Sequence, residues 1–233
     1  IAVARTTGAN AGGVGEVALT LILACRRGLR PNRFRCIDTG RWDKYISNET
    51  VGATIGILGF GAIGRLLAKL MLGLGCTVIA YDPYPNEALA KEMGVRLVDL
   101  DELFTASDAI SVHVPYTPDT HHMVNAARLA QMKPSAVIVN TARGGIVDED
   151  ALYDALKAGQ IRGAGLDVYA VEPLPADSKL LELDNLILSP HFSSQTVESL
   201  WNTYKMAIDI TADFYAGKDC PHILNPDYKA VKA

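Results

Sequence analysis

Hydrophobic positions along this chain change period several times, and each change marks an element. Between residues 12 and 27, Val14, Val17, Ala18, Leu21, Ile22 and Cys25 recur at helical spacing, which predicts an amphipathic helix. Gly28 and Pro31 predict its end. Residues 32–50 lose that period and are polar, with Trp42 and Tyr45 among them. From residue 54 the apolar positions come in short runs. Those at 54–58, 77–81, 95–98, 109–114, 136–140, 164–168 and 185–188 read as strands. Between the first two lies a helix with Ile63, Leu66, Leu67, Leu70, Met71 and Leu74 on one face, and further helical runs occupy 101–106, 126–131 and 149–158. A last amphipathic helix is predicted over 195–216, with Val197, Leu200, Trp201, Tyr204 and Ile208 facing one way. Short apolar strands alternating with helices predict an α/β fold, a doubly wound parallel sheet.

The turn after the first of these strands carries the first chemistry. Gly59-Phe-Gly61-Ala-Ile-Gly64 stands between a strand and a helix. In that setting the first glycine permits the tight turn, the second lets a pyrophosphate approach the backbone, and the third lets helix and strand pack closely. The helix start offers free N–H groups to phosphate, so Ala62 and Ile63 are expected to donate through their backbone. Asp82 ends the next strand, where a carboxylate can accept from ribose hydroxyls and repel a 2′-phosphate. The expected cofactor is therefore NAD rather than NADP, on a Rossmann-like domain.

Three later segments put polar residues just after apolar strands, where a doubly wound sheet opens its ligand crevice. They are Val139-Asn-Thr-Ala-Arg143-Gly-Gly, Gly165-Leu-Asp167-Val-Tyr-Ala-Val-Glu172-Pro and Leu188-Ser-Pro-His191. With Gly8-Ala-Asn-Ala, Val14-Gly-Glu16, the glycine turn and His113-Val-Pro115, in this order, they make the chain resemble the D-2-hydroxyacid dehydrogenase family over nearly all its length. The resemblance implies hydride transfer between nicotinamide and a D-2-hydroxy or 2-keto acid, 3-phosphoglycerate and glyoxylate or hydroxypyruvate being candidate substrates. His191 is then the general acid and base, Glu172 its partner, and Arg143 the residue that binds the substrate carboxylate. Thr141, Ala142, Arg143, Asp167, His191, Ser193 and Ser194 fall on the nicotinamide side of the cofactor, and Val114 and Pro115 on the adenine side.

Phe192-Ser-Ser-Gln-Thr196 departs from the small residues common after the family's histidine, and Arg5 and Thr7 stand where Asn and Pro are frequent. The resemblance also implies two domains. Residues 1–194 form the NAD-binding domain, including the first crossover helix, and 195–233 form a return helix and the remnant of a partial second domain for substrate. The chain opens on Ile1 inside a strand-like run, and further sequence is expected upstream; without it, NAD binding with poor turnover is expected. The same fold serves an NAD-regulated co-repressor group, a rival reading. Formate dehydrogenase is another, disfavoured because its histidine partner is an amide whereas this chain has Glu172.

Composition acts mainly by exclusion. Hydrophobic residues make up 49% and charged residues 21%, as in globular proteins. The net charge of −4 supplies no basic field for nucleic acid or an anionic membrane. The apolar run before Arg26 and Arg27 is far too short to span a bilayer, and no secretory signal pattern is present. Cys25, Cys36, Cys76 and Cys220 are scattered without a CxxC pair, so buried free thiols in a reducing cytoplasm are expected rather than zinc or disulfides. His121 and His122 are adjacent and lack ligand spacing; they are read as solvated, and no metal is expected. Trp42 and Trp201 are read as packing anchors. The partners expected are a small-molecule substrate and a second copy, in a homodimer formed through the cofactor domain at the first helix and the 42–45 segment.

Overall fold

A computed structural model describes residues 1–42 and 44–229 of the chain. The last four residues of the predicted second-domain remnant lie outside them. The first helix, α1 (Ala11–Arg26), ends at Gly28 in the left-handed conformation (φ 58°). A short helix α2 (Leu29–Asn32) and a π-helical turn (Arg33–Ile37) follow in the stretch that carries no period.

The sheet then builds outward from its centre. Strand β1 (Thr54–Leu58) leads through the glycine turn into α3 (Ala62–Gly73) and β2 (Thr77–Tyr81). Helix α4 (Glu87–Glu92), strand β3 (Arg96–Leu97) and helix α5 (Leu100–Ala106) complete the first half. The second half runs β4 (Ala109–Val112), α6 (Ala126–Gln131), β5 (Val137–Asn140), α7 (Glu149–Lys157), β6 (Gly163–Leu166) and β7 (Leu186–Leu188). All seven strands are parallel, in the order β3-β2-β1-β4-β5-β6-β7. The order reverses between β1 and β4, and that switch point is where a doubly wound sheet opens a crevice at its strand ends.

Both faces of the sheet are covered because the strands alternate apolar side chains on both sides. Ile55, Ile57, Val137 and Val139 join Ile22 of α1 and Leu67 and Met71 of α3 in one core layer. Leu58, Ile110 and Ile138 join Phe104, Leu129 and Leu152 of α5, α6 and α7 in the other. The register aligns the C-terminal ends of five strands in one row: Leu58 with Val112, Val112 with Asn140, Asn140 with Leu166, Leu166 with Leu188. The residues just past that row are Gly59, His113, Thr141, Asp167 and Ser189.

Several sequence expectations change in detail. The predicted strand at 95–98 keeps only Arg96–Leu97, at the sheet edge. Helix α4, capped by Asn86, was not anticipated; it buries only Ala90, too little to set up a visible period. The final helix, α8 (Val197–Tyr215), starts after Thr196, whose hydroxyl accepts from Ser199 N–H. Its apolar side faces solvent in this chain: Val197, Trp201, Tyr204 and Ile208 are exposed. The tryptophans are not packing anchors here, since Trp42 is 77% and Trp201 68% exposed. Cys25, Cys36 and Cys76 are buried outside any disulfide, and Cys220 is half-buried. Among the described residues no helix is long and apolar enough to cross a membrane.

Candidate active site

A cavity of about 790 Å³ opens over the switch point. Its floor is the start of α3. Gly59 has φ +103°, and a Cβ there would stand 2.7 Å from the backbone of His113 and Val114, so the turn lies flush against the end of β4. At Gly64 a Cβ would stand 2.2 Å from the Gly59 carbonyl oxygen. Gly61 has nothing near its missing Cβ and borders the cavity. Ala62 and Ile63 open α3 and also border it, and first-turn N–H groups have no acceptor within their own helix.

Asp82 closes the turn from the side. Its Oδ2 accepts from Phe60 N–H (2.7 Å) and its Oδ1 from Tyr84 N–H (2.9 Å). It does not line the main cavity. A carboxylate has about four lone-pair sites, so acceptor capacity is left for a ribose.

The opposite wall comes from the ends of β4, β5, β6 and β7. Asn140, buried at the end of β5, braces the turn after it: its Oδ1 accepts from Ala142 N–H (3.0 Å) and its Nδ2 donates to the Arg143 carbonyl (2.9 Å). Arg143 is thereby carried to the cavity rim, exposed, with Nη1 donating to the Ala142 carbonyl at 2.6 Å. Thr141 and Ala142 line the same wall.

Asp167 is fully buried and holds the loop that follows β7. It accepts from Ser189 Oγ (2.6 Å), Phe192 N–H (3.1 Å), Ser193 N–H (3.0 Å) and the Ser193 hydroxyl. These bonds fix His191 in the left-handed region, at φ +51°, which histidine visits only occasionally and which clusters at functional sites. The His191 ring meets Glu172, Nδ1 to Oε2 at 2.7 Å. The second Glu172 oxygen accepts from Tyr169 N–H (3.0 Å). Partial burial works to raise the Glu172 pKa. The hydrogen bonds from His191 and Tyr169 and the charges of His191 and Arg143 outweigh it and hold the carboxyl below the ordinary glutamate range.

Of the residues singled out from sequence, twelve border the one cavity: Gly61, Ala62, Ile63, Val114, Pro115, Thr141, Ala142, Arg143, Asp167, His191, Ser193 and Ser194. Gly59, Gly64 and Asp82 shape the turn behind it, and Glu172 stands behind His191. A further wall to which the sequence reading assigned no site role is formed by Arg5, Thr6, Thr7 and Asn10, together with His113 and Tyr116; of these, Arg5 and Thr7 stand out in the sequence only as departures from the family pattern, and Asn10 and His113 only as parts of its motifs. His113 could have been found as the first residue beyond β4.

The walls fit a dinucleotide. Gly61 leaves room for a phosphate against the backbone, and Thr141 Oγ1 and His113 Nδ1 are buried polar atoms on the cavity wall with no protein partner. Such orphans are uncommon in folded proteins and mark places for a bound group. Among the described residues no group of three or more His, Cys, Asp or Glu side chains is placed to hold a metal. His121 and His122 are exposed and stacked on each other at 3.9 Å.

His113 has a consequence for pH. Its Nε2 shares a hydrogen bond with Ser111 Oγ (2.9 Å), and desolvation pushes its pKa down from 6.5 to about 4. The folded state resists protonation that the unfolded chain accepts, so this contribution is complete above 6.5 and lost as pH falls toward 4. Thermal melts of a His113→Asn variant should show a shallower loss of stability across that range than the unaltered chain. Parallel curves would count against it.

Parallel strands in Rossmann order, a glycine turn at the switch point and a strand-end cavity define a dinucleotide-binding domain. Comparison with known proteins places it further. Residues 19–193 match the family model described as D-isomer specific 2-hydroxyacid dehydrogenase, NAD binding domain, and the chain belongs to that family. It is 45% identical over 204 residues to a hydroxypyruvate reductase of Thermotoga maritima, covering 85% of this chain and 65% of the relative. It is 41% identical over 204 residues to a D-3-phosphoglycerate dehydrogenase of Archaeoglobus fulgidus, covering 87% of this chain and 38% of the relative. The chain thus spans less than two thirds of the length of either. Among solved structures, a D-lactate dehydrogenase from Aquifex aeolicus complexed with NAD and lactic acid superposes with a TM-score of 0.82 at 34% identity, covering 93% of this chain and 70% of that one.

Proposed function

We propose that this chain supplies the cofactor site and the reacting side chains of an NAD-dependent D-2-hydroxyacid dehydrogenase. The observation that carries the reading is the His191–Glu172 pair at 2.7 Å, on the rim of a dinucleotide-sized cavity that Arg143 also borders. When bound, the nicotinamide exchanges a hydride with the substrate carbon; the chain's own residues handle charge and proton. Arg143 binds the substrate carboxylate through its planar guanidinium. With Nδ1 held by Glu172, His191 Nε2 gives its proton to the carbonyl oxygen in reduction and takes it back in oxidation. Glu172, kept ionised, fixes the ring's orientation through the bond to Nδ1.

For the cofactor, Gly59, Gly61 and Gly64 shape the phosphate turn, Ala62 and Ile63 donate from the start of α3, and Asp82 takes the adenosine ribose. Val114 and Pro115 form the adenine-side wall, and Thr141, Ala142 and Ser194 serve the nicotinamide side. Asp167 and Ser193 border that side too, and their bonds to each other give them first to the His191 loop. Substrates of the hydroxypyruvate, glyoxylate or 3-phosphoglycerate type are in keeping with the relatives. The carboxylate at His191 stands against formate oxidation, and nothing favours the co-repressor reading. We also propose a cytoplasmic homodimer. The exposed apolar side chains of the 29–46 segment, Leu29, Ile37, Trp42 and Ile46, support that surface better than α1, which is mostly buried against the sheet.

Calorimetric titration tests the cofactor half of the reading. The chain is expected to bind NADH and to bind NADPH at least about tenfold more weakly, 1.4 kcal/mol being a factor of ten. An Asp82→Ala variant should narrow that gap by weakening NADH. Equal affinity for the two cofactors would remove Asp82 from the ribose.

A further inference from the structure

Glu149 is the first residue of α7, and α7 does not need it as a cap. Asp148 already accepts from Asp150 N–H and Ala151 N–H, each at 3.1 Å. The Glu149 carboxylate turns instead to the loop after β6, where Oε1 accepts from Ala170 N–H at 2.6 Å. The neighbouring N–H, that of Tyr169, goes to Glu172. Two successive amides of one loop are therefore clamped by two carboxylates, one from outside the loop and one from within it. The Arg143 turn presses on the same peptide: a Cβ on Gly144 would stand 1.8 Å from the Tyr169 carbonyl oxygen. The Tyr169 hydroxyl pins the loop's other side by donating to the Ser189 carbonyl (2.8 Å).

We propose that Glu149 is a positioning residue for the His191–Glu172 pair: by accepting the Ala170 N–H it holds the 169–172 turn in the shape that aims Glu172 at His191. This rests on the reading of that pair given above. Glu149 touches neither the cavity nor His191, so it acts only through the loop. The ionisable groups around it are Asp148, Asp150, Glu172 and the Tyr169 phenol. Burial first, then the charges of those three carboxylates, push its pKa up despite the bond from Ala170. What the loop needs from Glu149 is the acceptor oxygen that meets the Ala170 N–H.

The test is a carbon-detected NMR titration of the Glu172 carboxyl in this chain. Loosening the loop and removing a nearby charge move that titration in opposite directions, which separates the two roles. Loss of hydrogen bonds to a carboxylate raises its pKa; loss of a neighbouring negative charge lowers it. Glu149→Ala, which removes the acceptor, is expected to raise the Glu172 midpoint by about half a pH unit. Glu149→Gln keeps an acceptor oxygen for Ala170 and is expected to leave the midpoint where it was or lower it. A midpoint that falls or stays put in Glu149→Ala overturns the proposal, and melting curves confirm that both variants are folded. A His191→Gln control separates this from the parent reading. If the Glu172 midpoint does not rise in that control, the His191–Glu172 pair itself has failed. If it rises there but not in Glu149→Ala, only the positioning role has.

Discussion

Replacing His191 with asparagine is expected to lower kcat/KM for 2-keto acid reduction by roughly 10²–10⁴-fold, the range that general acid–base catalysis contributes. NADH affinity should change little. The ring is positioned by two independent sets of bonds: Glu172 holds Nδ1, and the Asp167 hub holds the backbone on which the ring stands. Asparagine also tolerates the left-handed backbone conformation, so the loop should keep its shape while the transferable proton is lost. Steady-state kinetics with NADH, beside a calorimetric binding curve, separates the two effects. A variant that keeps more than about a tenth of the parent rate, above the low end of that range, would remove His191 from the proton's path.

Gly64→Ala should give the second large effect, on a different quantity. The added methyl would stand 2.2 Å from the Gly59 carbonyl oxygen and 2.9 Å from Ile57 Cγ2. Neither neighbour is the far end of a flexible side chain, so α3 must shift away from β1. Overpacking of this kind costs about 1–3 kcal/mol, measurable by urea denaturation. The shift also displaces the N–H groups of Ala62 and Ile63 from the phosphate site, so NADH affinity should fall along with stability. A variant that melts normally and binds NADH normally would mean the turn has slack that its close contacts deny.

The core of both results was legible in the sequence. The glycine turn and the three side chains proposed as catalytic follow the ends of apolar runs, and strand ends in a doubly wound sheet converge whatever lies between them. What could not be read was set by long-range contact. The family resemblance sets Asp167 on the nicotinamide side of the cofactor; that its oxygens also turn to Ser189, Phe192 and Ser193 depends on where the chain returns after β7. The wall formed by Arg5, Thr7 and Asn10 comes from a segment with no period, so only the family resemblance marked it, and without a site role. The clamp of Glu149 on Ala170 joins residues from two elements with no sequence relation. Trp201 was misread because an aromatic at helical spacing indicates a sticky face without saying what covers it, and Trp42 because a large aromatic in a stretch without period was taken to pack.

That last point bears on how the protein can be watched. Both of its indoles, Trp42 and Trp201, stand largely in water in the folded chain, so their emission should already resemble that of the unfolded state. Denaturation followed by intrinsic fluorescence would give a small, misleading amplitude, whereas far-UV circular dichroism would report the loss of the helices directly. The same exposure makes the two residues good optical reporters of association. A blue shift on raising the concentration, or on adding a binding segment, would record a surface going dry, and single Trp→Phe variants would tell which one.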